Sequence, residues 1–88
     1  MSCVSDGPTI EEYNLAEVAY RSAEESEANK FAPIVLSKAR RLKRRGERAL
    51  KERNFEESLK LFRKSRFYSE KAENISRLKM FTEGEMIP

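Results

Sequence analysis

The 88-residue chain is 39% hydrophobic and 38% charged, with 18 Lys+Arg against 15 Asp+Glu, no His and one Cys. This inventory excludes a His/Cys zinc centre, a thiol–histidine nucleophile, a Ser-His-Asp triad and an internal disulfide. No run approaches the roughly 20 apolar residues that span a bilayer. What remains is one small domain with a modest core, in which apolar residues cover only one side of each element.

In chain order, residues 1–8 read as a flexible lead, with Gly7-Pro8 as a breaker. Thr9-Ile10-Glu11-Glu12 matches a capping box, so the spacing predicts a first helix from Thr9 to about Phe31. It presents Leu15, Ala16, Ala19, Tyr20 and Ala23 inward. Phe31-Ala32-Pro33 ends it, because the residue before proline is pushed out of helical geometry and proline fits the first turn of the next helix.

A second helix is predicted over 33–53 and a third over 55–81. Leu36, Ala39, Leu42, Gly46, Ala49 and Leu50 recur every three or four residues before the turn Arg53-Asn54-Phe55. Phe55, Ser58, Leu59, Phe62, Ser65, Ser69, Ala72 and Ser76 do so after it. Two such stripes across a short turn close as an antiparallel hairpin, with Asn54 as the left-handed hinge and small residues bringing the axes close. A second apolar row on the third helix, Leu61, Tyr68, Ile75 and Leu78, gives it a face for another helix or a partner. The pairs Glu17–Arg21, Glu47–Lys51, Glu56–Lys60 and Glu73–Arg77 are spaced to support their helices. Residues 82–88 read as a tail. The expected fold is therefore all-α: a three-helix bundle spanning 9–81, with helices two and three as a tight hairpin and helix one along it.

These residues resemble a bacterial envelope domain of unknown function found in lipoproteins and ahead of OmpA-like domains. The resemblance covers roughly residues 10–79 and is carried by Ala16-(x)6-Ala23, then Phe31-Ala32-Pro33-(x)2-Leu36-(x)2-Ala39, then Asn54-Phe55-Glu56-Glu57-Ser58. Where that family reads Gly-Asp-Tyr at the turn, this chain has Arg53-Asn54-Phe55, and Ser58, Ser65 and Ser69 stand where the family favours Ala. A weaker similarity to a single tetratricopeptide repeat rests on Gly46, Ala49-Leu50, Phe55 and Ser58. The family resemblance implies a non-enzymatic periplasmic or outer-membrane-anchored module, acting by protein–protein contact, self-association or as a spacer near peptidoglycan and an anionic membrane surface. Cys3 would then be the lipidated first residue of the mature protein.

The alternative is a cytoplasmic adaptor. Residues 1–32 hold seven carboxylates against Arg21 and Lys30, so the remainder is strongly basic. Lys38, Arg41, Lys43, Arg44, Arg45 and Arg48 form a stripe able to contact nucleic-acid phosphates, anionic headgroups or an acidic partner. The reading weighed ahead of that is a solvated face partly satisfied by the acidic first helix. No aromatic residue lies between Phe31 and Phe55 to stack on bases. Arg66, Phe67 and Tyr68, next to Phe62, are a candidate protein-docking cluster; the reading preferred to it splits the cluster, with Phe62 in the core and Phe67 half exposed. Adjacent glutamates at 11/12, 24/25 and 56/57 diverge by about 100° on a helix and have nothing to desolvate them, so no catalytic role, cofactor or metal is expected.

Overall fold

The computed structural model describes residues 3–82, with side chains from Thr9 onward. It contains four helices: α1 (Cys3–Glu25), α2 (Ala28–Phe31), α3 (Pro33–Lys51) and α4 (Phe55–Thr82). There is no strand among the described residues.

The first helix differs from expectation at both ends. Its backbone is helical from Cys3, so Thr9 lies within α1 rather than capping it, and Gly7-Pro8 does not break it. At the other end, Glu27 takes a left-handed conformation (φ 64°), dividing the expected helix into α1 and the single turn α2. The Ser26 N–H and Oγ both donate to the Ser22 carbonyl at 3.0 Å and tie off the end of α1. Pro33 begins α3 as the sequence indicated, with Ala32 out of helical geometry before it (φ −144°, ψ 54°).

The α3–α4 turn is closed by residues other than the one expected. Arg53, not Asn54, is left-handed (φ 63°). Its N–H donates to the Leu50 carbonyl at 3.0 Å, and the Asn54 N–H reaches back to Ala49 at 2.9 Å. This pair of bonds is a Schellman motif. Asn54 instead begins α4, its Oδ1 accepting from the Glu57 N–H at 3.4 Å, with Glu56 and Glu57 on the positive end of the helix dipole.

α4 lies between α1 and α3 and packs along both, while α1 and α3 touch each other sparingly. Ser58 sits against Gly46 and Ser65 against Ala39, so α4 runs antiparallel to α3. Glu12 pairs with Arg63 and Arg66, and Ala23 clusters with Ala72, so α4 runs parallel to α1. The molecule is long and thin, 58 × 19 × 13 Å.

Small residues make this closeness possible. Ser58, Ser65 and Ala72 recur every seven residues on α4, beside a second row of Phe62, Ser69 and Ser76, and all six are fully buried. Ser58 Oγ donates to the Gly46 carbonyl at 3.0 Å and Ser65 Oγ to the Ala39 carbonyl at 2.8 Å, stitching α4 to the α3 backbone. Phe62 and Leu36 are the large apolar side chains that are fully buried. Leu15, expected inward, is 41% exposed, and Leu78, on the row expected to meet another helix or a partner, is 63% exposed. With Ala16, Ala19 and Ala23 drawing α1 in, the buried arc is too narrow to reach a residue at its flank. Phe31 and Ala32 close the far end, where Lys79 Nζ donates to the Phe31 carbonyl at 3.0 Å and satisfies the end of α2.

Candidate anion-binding face and groove

The acidic α1 and the basic α3 meet within the densest run of the stripe, at Arg40 and Lys43. Lys43 lies 2.9 Å from a Glu17 carboxylate oxygen on α1 and 3.2 Å from Glu47, its ammonium flanked by the Tyr13 and Tyr20 rings at about 6 Å. One turn away, Arg40 Nε donates to the Tyr20 hydroxyl at 2.9 Å. This clasp spans the open side between α1 and α3. The hydrogen bond from Lys43 holds the Glu17 carboxyl below its ordinary range against partial burial, aided by the charges of Lys43 and Arg21. For Lys43 the largest influence, burial, acts to lower its pKa. Hydrogen bonds to Glu17 and Glu47, with their negative charge, outweigh it and leave the amine above its ordinary range. Lys43 therefore belongs to the interior clasp and leaves the anion-binding set that the sequence suggested.

The other acidic contacts of α1 are similarly engaged. Glu12, only 13% exposed, lies 3.5 Å from Arg63 and 3.6 Å from Arg66, and Glu17 also reaches Arg21 at 3.4 Å. Of the four helix-supporting pairs expected, Glu17–Arg21 and Glu73–Arg77 are present, and Glu47 turns to Lys43 rather than Lys51. Arg41, Arg44, Arg45 and Arg48 are exposed, and none is ion-paired among the described residues. At relative positions 0, 3, 4 and 7 they share one outward band of α3.

The docking cluster expected at Arg66, Phe67 and Tyr68 is divided. Arg66 turns to Glu12 on α1. Tyr68 packs against the Leu42–Ala49–Leu61 cluster with the Lys38 ammonium 4.5 Å over its ring. Phe62 is buried, and its ring meets Tyr13 edge-on at 5.2 Å. Phe67 is 59% exposed and stands edge-on to Tyr68, centroids 5.1 Å apart at 85°.

Phe67 and Tyr68 do not join Arg66; they join the basic stripe. Lys38, Leu42 and Arg45 of α3 and Arg63, Lys64, Phe67 and Tyr68 of α4 line one groove of about 470 Å³. Four cations and two aromatic rings line it, with no carboxylate. The sequence reading missed this because it sought aromatic residues within the basic segment, whereas the hairpin supplies them from the neighbouring helix. An antiparallel register that pairs Ala39 with Ser65 places Lys38 and Leu42 beside Tyr68, a signal available from the two stripes together.

Cys3 lies at the start of the α1 backbone, and its side chain falls outside the described ones. Residues 1–2 and 83–88, which hold the rest of the expected lead and tail, also lie outside the described residues. Among the described residues there is no group of acidic or sulfur ligands able to hold a metal, and no helix is long and apolar enough to cross a membrane. Compared with known family models, curated proteins and solved structures, the chain finds no match. The resemblance to the envelope domain therefore rests on its packing motifs alone.

Proposed function

We propose that this chain is a non-catalytic three-helix module that binds a phosphate-bearing polyanion through the outer face of α3. One observation carries the reading. The acidic helix spends its Glu12 and Glu17 carboxylates on Arg21, Lys43, Arg63 and Arg66, leaving Arg41, Arg44, Arg45 and Arg48 exposed and unpaired side by side. Among the described residues Glu17 answers one cation of the stripe, Lys43, and the four arginines beside it keep their guanidinium groups towards solvent. Four guanidinium groups in one band offer forked donors suited to phosphate oxygens and a local positive field that attracts polyanions.

The lipidated-envelope expectation gains no support from this geometry. The Cys3 side chain is outside the described residues, and the leash expected ahead of Thr9 is helical from Cys3.

The test is binding of the purified chain to polyphosphate and to a nucleic-acid oligomer at low ionic strength. The parent should bind both and lose affinity as salt rises. Replacing Arg41, Arg44, Arg45 and Arg48 together by Gln should abolish association with unchanged helical content. A parent that binds no polyanion at low salt overturns the reading.

A further inference from the structure

We infer that the polyanion is a single-stranded nucleic acid, and that the groove between α3 and α4 is where its bases lie. This rests on the phosphate-binding reading and adds to it a base-stacking platform, the Phe67 ring. A polyphosphate or a headgroup layer uses cations alone. The groove presents a flat aromatic surface among cations, the combination that tracks a sugar–phosphate strand while its bases stack.

Phe67 is suited to this by position and by support. It is 59% exposed, so its ring is available to a ligand. Tyr68 meets it edge-on at 5.1 Å, a contact that favours this orientation of the ring. Tyr68 is held in turn by the Leu42–Ala49–Leu61 cluster and by the Lys38 ammonium 4.5 Å above its face. That support biases the platform towards one orientation, which lowers the ordering that binding requires. Arg45 and Lys64 flank it from the two helices, and Arg45 belongs also to the outward arginine band. A strand lying along that band places its phosphates on Arg41, Arg45 and Arg48 and turns bases towards Phe67. The volume of about 470 Å³ falls within the range of pockets for small organic groups, roughly 300–1,000 Å³.

Single strands are favoured over duplexes because duplex bases already stack on each other and offer no free face. Anionic headgroups offer no π-face for the exposed Phe67 ring to stack on, so a membrane surface would use the cations alone.

The experiment is a set of anisotropy and flotation titrations at one moderate salt concentration. The ligands are a short oligothymidylate, the matching oligouridylate, an abasic deoxyribose-phosphate oligomer of equal length, a duplex, polyphosphate and phosphatidylglycerol vesicles. The parent should bind the single strands more tightly than the abasic oligomer, polyphosphate or duplex. Phe67→Ala, a change at an exposed position, should weaken the single strands on the order of tenfold or more while leaving polyphosphate binding unchanged. Phe67→Tyr should retain single-strand affinity. Equal affinity for the abasic oligomer and the single strands, or an unchanged Phe67→Ala titration, overturns the stacking assignment while the phosphate-binding reading stands. A preference for duplex or for vesicles overturns the single-strand assignment in the same way. No binding to any of these ligands overturns both.

Discussion

Gly46 and Phe62 fit as notch and knob. A Cβ built on Gly46 would lie 2.7 Å from Phe62 Cε1 and 2.8 Å from Cδ1, closer than side chains tolerate, and the ring is fully buried with no free direction in which to retreat. Gly46→Ala should therefore lower stability by about 1–3 kcal/mol even though alanine is the better helix former. Combining it with Phe62→Leu should cost less than the sum of the two single changes. Urea unfolding of the four proteins measures the coupling, and strict additivity would show that the contact has relaxed.

The buried serines of α4 should separate into two classes. Ser65 donates to Ala39, so Ser65→Ala should lose about 1 kcal/mol. The Ser69 and Ser76 hydroxyls are buried without a hydrogen-bond partner. Ser69→Ala removes an unsatisfied polar group and favours the helix, and should leave thermal stability unchanged or raise it. Equal losses at positions 65 and 69 would mean that the hydroxyls contribute by volume alone.

The turn offers a stabilising change. Arg53 holds a left-handed conformation (φ 63°) that glycine adopts without steric cost. Arg53→Gly should raise stability by about 1 kcal/mol in denaturant unfolding, whereas Asn54→Gly, away from the left-handed position, should not.

The Glu17–Lys43 clasp fixes a pH dependence of known sign. Glu17 titrates below its ordinary value of 4.5 in the folded chain, so its contribution is complete above that value and disappears as pH falls through the lowered one. Lys43 titrates above its ordinary value of 10.5, so its contribution is complete below that value and disappears as pH rises through the raised one. Glu17→Gln should flatten the acid limb of a melting-temperature profile and Lys43→Met the alkaline limb. An unchanged acid limb in Glu17→Gln would place the acid sensitivity at another carboxylate.

The α3–α4 hairpin was legible because its information is local: period, Pro33, and small residues on two facing stripes. The division of the first helix was not, because Glu27 in a left-handed conformation has no composition cue of the kind that glycine or asparagine gives. The turn misled in a related way. Asn54 tolerates the left-handed region, yet it was more useful to the fold as the cap of α4, which left that conformation to Arg53. Pair contacts across helices were the least legible. Lys43 reads like any other cation of its run, and only the approach of Glu17 from α1 distinguishes it from Arg44 and Arg45. The groove needed the same tertiary knowledge, since Phe67 and Lys38 lie far apart in sequence.

The seven-residue repetition of small side chains along α4 carries a danger that the fold avoids. A row of near-identical small residues matches itself when slid by one repeat, so α3 and α4 could pair in several alignments of similar closeness. Sliding α4 by seven residues would bring Phe62 opposite Ala39, whose methyl group occupies the space that Gly46 leaves empty. Only one position along α3 therefore receives the ring. A single aromatic among serines and alanines thus acts as the index mark of the hairpin, and that alignment is also the one that brings Lys38 and Arg45 alongside Phe67 and Tyr68.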